Sequence, residues 1–91
     1  MNSRSLRVYV DVAVGFTSDG LMLPRSLVWE DGARYTIDRV KVVRPAFAAR
    51  AGGQGDRYTI MVGGHETYLY FERSMDPGDK YLGRWFVERK G

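Results

Sequence analysis

The chain has 91 residues, 44% of them hydrophobic and 27% charged, with a formal net charge of +3 and no cysteine. That length suits one domain with one core, burying about 60–65% of the unfolded surface, and the composition excludes a disordered tail. Without cysteine there are no disulfides or thiolate metal sites, and no stretch approaches the ~20 apolar residues of a membrane-spanning helix.

Met1-Asn2-Ser3-Arg4-Ser5 runs into a strand pattern with no apolar signal core, so the expectation is a cytoplasmic protein without membrane contact. From residue 6 to 16 the alternation is regular. Leu6, Val8, Val10, Val12, Val14 and Phe16 share one face, and Arg7, Tyr9, Asp11, Ala13 and Gly15 take the other. A two-residue turn at Asp19-Gly20 sets Phe16 against Leu23, Val12 against Leu27 and Val10 against Trp29. A slip of one residue would oppose Val12 to Ser26, so burial enforces this register.

The next hairpin needs a longer loop. With three residues, Glu30-Asp31-Gly32, Leu27 opposes Tyr35 and Trp29 opposes Ala33, and Gly32 must be left-handed. Beyond it the apolar phase switches from Tyr35 and Ile37 to Val40 and Val42, which predicts a bulge or bend near Asp38-Arg39. Pro45-Ala46-Phe47-Ala48-Ala49-Arg50-Ala51-Gly52 is the one helical candidate, with Pro in the first turn and Gly at the end. A short helix near 46–51 is expected there, followed by a glycine-rich loop through Gly55.

Strand 57–62 carries Tyr58, Ile60 and Val62 on one face. A Gly63-Gly64 turn opposes Ile60 to Thr67 and Tyr58 to Leu69, with Phe71 further along. Arg57, Thr59 and Met61 then share the other face with Tyr70, Tyr68 and Glu66. Asp76-Pro77-Gly78-Asp79 carries Pro then Gly in the central positions of a type II turn, and a last strand covers about 81–89. The predicted fold is all-β, a small antiparallel barrel or roll of about five or six strands in one domain, ordered over about 6–90. Its expected core is Val8, Val10, Val12, Val14, Leu27, Trp29, Tyr35, Ile37, Val40, Val42, Ile60, Val62, Leu69, Phe71, Trp85 and Val87.

No constellation for catalysis is visible. His65, the only histidine, reads as a solvated turn residue, because a general base needs an orienting partner and zinc needs three or four ligands. Asp19, Asp31, Asp56, Asp76 and Asp79 fit the backbone-bonding role of turn aspartates. Gly52-Gly53-Gln54-Gly55 precedes a strand, whereas phosphate loops precede a helix, so it reads as a flexible connection. No catalytic residue, metal site or cofactor is assigned, and the chain is read as a non-enzyme.

Charge is the remaining signal. Residues 39–57 hold Arg39, Lys41, Arg44, Arg50 and Arg57 against Asp56 alone, a local charge of +4. Arg57 and Thr59 lie beside Tyr68 and Tyr70 if the Gly63-Gly64 register holds. These eight side chains — Arg39, Lys41, Arg44, Arg50, Arg57, Thr59, Tyr68 and Tyr70 — are the candidate binding residues. The leading reading is a small β-barrel binding module acting in protein–protein or self-association through this aromatic and basic face. The alternative is a nucleic-acid accessory protein that stacks bases on Tyr68 and Tyr70. Cross-strand Arg–Tyr packing on an ordinary solvated face explains the same residues without any partner.

Four segments carry a resemblance: Leu27-Val28-Trp29-Glu30-Asp31-Gly32 with Tyr35-Thr36-Ile37-Asp38-Arg39-Val40; Ala51-Gly52-Gly53-Gln54-Gly55-Asp56-Arg57-Tyr58; Glu66-Thr67-Tyr68-Leu69-Tyr70-Phe71-Glu72; and Arg84-Trp85-Phe86-Val87-Glu88. Together they resemble a family of small, stand-alone, uncharacterised bacterial proteins from Gram-positive and related anaerobes. The likeness extends from about residue 6 to 90. It implies a single-domain bacterial protein and brings no activity with it.

Overall fold

The computed structural model describes residues 5–48 and 53–90. Among these residues eight strands form two antiparallel sheets: β1 (Ser5–Tyr9), β2 (Asp11–Phe16), β3 (Met22–Val28), β4 (Arg34–Thr36), β5 (Arg39–Ala48), β6 (Gly53–Val62), β7 (His65–Arg73) and β8 (Gly83–Lys90). One sheet has the order β1-β8-β7-β6-β5 and the other β2-β3-β4. The fold is all-β, as the alternation requires. The expected five or six strands become eight because two runs divide where they pass from one sheet to the other.

The first division is at Val10. Its N–H donates to the Trp85 carbonyl at 3.1 Å, after which β2 leaves β8 for β3, so Val10 does not pair with Trp29. The second lies at Ile37-Asp38, near the predicted phase switch. There the Ile37 N–H donates to the Arg25 carbonyl, the Asp38 N–H to the Met61 carbonyl, and the Gly63 N–H to Asp38 Oδ2, all at 2.8–2.9 Å. Two bent corners thus join the sheets into a roll that, among the described residues, no ladder closes into a barrel.

Both early hairpins use three-residue loops. Thr17 N–H donates to Leu21 O, Gly20 N–H donates to Thr17 O, and Gly20 has φ 89°. The expected two-residue turn is therefore wrong: Phe16 faces Met22, and Leu23 faces Gly15. A bulge opposite Ala13 and Val14 absorbs the extra residue, so Val12 still meets Leu27. The second loop follows the sequence expectation, with Leu27 opposite Tyr35, Trp29 N–H donating to Ala33 O, and Gly32 at φ 86°.

No helix occupies the 46–51 region in the described residues. Ala46 and Ala48 pair with Gly55 and Gly53 in a β5–β6 ladder, so the expected glycine loop is also strand as far as it is described. Ala51 and Gly52 lie outside the described residues. Cross-strand pairing overrides the helical preference of alanine, and the backbones approach closely. A Cβ on Gly55 would fall on the Phe71 carbonyl oxygen. At Asp76-Pro77-Gly78-Asp79 the turn closes by Asp79 N–H to Asp76 O at 3.0 Å. Gly78 is absent from the positive-φ residues, which excludes type II. Asp76 Oδ1 instead accepts the Gly78 N–H at 2.9 Å, an arrangement that stabilises the turn without a left-handed residue.

The core lies between the sheets. Ile60 and Leu69 are fully buried, and Leu27, Ile37, Tyr58, Phe71, Trp85 and Val87 surround them. Val8, Val10, Val12, Trp29, Val40 and Val62 pack against this cluster while partly exposed. Three expected core residues are exposed: Val14, Tyr35 and Val42. Val14 sits on the edge strand β2 and Tyr35 on the three-residue β4. Val42 follows a bulge at Lys41 that turns it beside Thr59, and Val43 takes the core-side phase opposite Tyr58 but stays exposed at the sheet edge. No helix among the described residues is long and apolar enough to cross a membrane.

Candidate recognition surface

The outer face of the five-stranded sheet is built by alternation. On β6, Tyr58 and Ile60 point to the core, so Arg57, Thr59 and Met61 point outward. The β6–β7 register is the one the Gly63-Gly64 turn demands, with Arg57 opposite Tyr70, Thr59 opposite Tyr68 and Met61 opposite Glu66. On the other flank Arg44 faces Arg57, Val42 faces Thr59 and Arg39 faces Met61. Lys41 reaches the same face, where Nζ meets Glu66 Oε1 at 2.7 Å. Seven of the eight candidate side chains therefore share this face; Arg50 lies outside the described residues.

A larger aromatic row continues across β7, β8 and β1. Tyr70 stacks on Phe86 with centroids 5.0 Å apart and planes within 6°, and Tyr9 meets Phe86 edge-on at 5.7 Å. Three arginines cover rings: Arg57 over Tyr68 at 4.5 Å, Arg7 over Phe86 at 4.8 Å, and Arg84 over Tyr9 at 4.4 Å. Such contacts are worth about 0.5–1 kcal/mol each when exposed. Arg7, Tyr9, Arg84 and Phe86 are not among the eight candidates that the sequence offers. Arg7 and Tyr9 did stand on the non-core side of the first strand, and Phe86 sits between the core positions Trp85 and Val87, so alternation held the signal. Phe86 is buried at 5% exposure under this row, on the face away from the core.

Ion pairing divides the face. Glu72 accepts from Arg7 at 2.9 Å and from the Tyr9 hydroxyl at 2.9 Å, and lies 3.5 Å from Arg84. Burial, followed by the neighbouring Glu88 carboxylate, raises the Tyr70 phenol above its ordinary pKa, and Arg57 opposes that shift. The β8–β1 half is thus internally matched. On the β5–β6 half, Arg39, Arg44 and Arg57 have no carboxylate partner among the described residues. Arg44 and Arg57 are directly opposed, a like-charge cross-strand pair that costs stability. Arg57 Nε is shielded from solvent and has no hydrogen-bond partner.

Tyr68 keeps 44% of its surface exposed, whereas Tyr70 is half-buried against Phe86. His65 is exposed at the closing pair of the Gly63-Gly64 turn. Among the described residues no group of three or more His, Asp or Glu side chains could hold a metal ion. The chemistry on offer is recognition by cationic donors and two partly open rings, Tyr68 and Tyr9, each with an arginine over it. Compared with known proteins, the chain matches no family profile, no curated protein and no solved structure.

Proposed function

We propose that this chain is a non-enzymatic binding module whose outer sheet face, on its β5–β6 side, receives an acidic segment of another protein. The observation that carries this reading is the opposed pair Arg44 and Arg57, which has no carboxylate partner among the described residues and shares its face with Arg39 and the exposed ring of Tyr68. An incoming carboxylate would relieve their mutual repulsion and accept the guanidinium donors. Self-association through this face is disfavoured, because a two-fold interface sets the same patch against itself. Its cations Arg7, Arg39, Lys41, Arg44, Arg57 and Arg84 outnumber Glu66, Glu72 and Glu88.

Single-stranded nucleic acid is the second reading, favoured by Arg57 lying over Tyr68 beside a run of unmatched cations. It is the weaker one because such binders stack successive bases on open rings, and Tyr70 is already stacked on Phe86. Titrating a poly-glutamate peptide and a poly-dT oligonucleotide separates the two. The peptide should bind the native chain, and the double variant Arg44→Glu/Arg57→Glu should stay folded and lose it. Preferential binding of poly-dT, weakening steeply with salt, would transfer the conclusion to nucleic acid. Binding of neither probe would overturn both.

A further inference from the structure

Strand β5 pairs with β6 on one side, apart from the bulge at Lys41, and among the described residues has no strand on the other. The two-residue turn at Gly63-Gly64 closes on Val62 and His65, a hydrogen-bonded pair in hairpins of that length. Counting back along β6, Arg57 and Thr59 aim their backbone groups toward β5, where Arg44 and Val42 answer them. Val43, opposite Tyr58, therefore directs its N–H and C=O away from β6, into open space. Pro45, two residues on and opposite Asp56, obeys the same phase: the N–H it lacks would have faced the unpaired side.

That unpaired side borders an open cleft of about 360 Å³ between β5 and the start of β3, with Leu21, Leu23, Pro24, Val40, Val42 and Val43 as its apolar lining. β4 pairs only with Ser26–Val28 of β3, so the preceding stretch of β3 has no strand facing β5. The cleft is the place where the roll fails to close. Its charged lining is Arg25 and Lys41, the latter paired with Glu66, with no carboxylate among the lining residues, and Arg44 follows on the same edge.

We propose that an extended segment of a partner protein, alternating acidic and apolar side chains, adds to the β5 edge at Val43 and fills this cleft. Strand addition supplies main-chain hydrogen bonds to an exposed edge, and pockets for alternate side chains select the sequence. Apolar residues of the segment would lie against Val40, Val43, Leu23 and Pro24. The intervening residues would emerge on the outer face beside Arg39 and Arg44, which is why they must be acidic. The proposal rests on the acidic-partner reading for that second set. A second copy is a poor occupant, because two β5 strands paired about Val43 would put the cations Arg39, Lys41 and Arg44 on both sides of one seam without adding a carboxylate.

The test uses two synthetic peptides of equal composition, about nine residues long to match a strand. One alternates glutamate and valine, and the other has them in two blocks. The alternating peptide should bind more tightly and slow hydrogen exchange at the Val43 amide. Val43→Pro removes that donor without touching the β6 ladder, so the variant should stay folded and bind about tenfold more weakly. Equal binding of both peptides with Val43 exchange unchanged would overturn strand addition and leave the acidic-partner reading standing. Binding of neither would overturn both. A native dimer that Val43→Pro converts to monomer would make a second copy the occupant and overturn the proposal.

Discussion

The five-stranded sheet buries Ile60 and Leu69 completely, whereas the three-stranded sheet leaves Val14, Phe16 and Tyr35 in contact with water. Their strands carry equally regular alternation, so the sequence pattern alone does not distinguish them. Position does. β6, β7 and β8 each have a strand on both sides, and their inward residues are enclosed by neighbours on every flank. β2 and β4 are edges of a narrow sheet, and their inward residues look partly past the core. The same contrast recurs on the outer face, where the β8–β1 half is satisfied by Glu72 and its own rings and the β5–β6 edge is not.

Truncation gives the largest separation between the sheets. Leu69→Ala should lower unfolding free energy by about 2–5 kcal/mol, the range for a buried leucine whose cavity cannot collapse. Phe16→Ala, 62% exposed on β2, should cost less than about 1 kcal/mol. Urea titration of both variants checks this, and equal costs would erase the distinction between centre and edge.

Two glycines sharpen it at smaller cost. Gly55→Ala puts a methyl onto the Phe71 carbonyl and should cost about 1–3 kcal/mol by forcing β6 and β7 apart. At Gly32 the space is open but φ is 86°, so Gly32→Val should cost about 1–2 kcal/mol from backbone strain alone. Amide exchange discriminates the mechanisms. Protection should fall along the β6–β7 ladder in the first variant and stay local to the Glu30–Gly32 loop in the second.

The smallest effect is in alkali. Burial, then Asp56, raises the Tyr58 phenol above its ordinary value of 10.0, and Tyr70 is raised as well. The folded state therefore holds these protons more tightly than the unfolded chain. Their contribution is complete below about pH 10 and is lost as pH rises through the folded values. Thermal midpoints should fall across that window. Tyr58→Phe should flatten part of the fall and, by removing the hydroxyl bond to the Met22 carbonyl (3.1 Å), cost about 1 kcal/mol at neutral pH. An unaltered alkaline profile would mean that Tyr58 does not link the sheets through its phenol.

Local chemistry alone determined the all-β class, the Glu30–Gly32 loop, the Gly63-Gly64 register and hence the outward set Arg57, Thr59, Tyr68 and Tyr70. Each follows from period-two burial plus a turn whose length admits one register. Tertiary structure decided the rest. It divided the first run at Val10, where a carbonyl from β8 captures the backbone, and turned Val42 outward through a bulge in the pairing with β6. It drew Ala46 and Ala48 into strand, because a neighbouring edge offered more hydrogen bonds than a two-turn helix could make. It also stacked Tyr70 on Phe86 and left Arg44 facing Arg57, since contacts between strands far apart in sequence depend on which edges meet. Alternation assigns a side chain to a face, and only the order of strands says what shares that face.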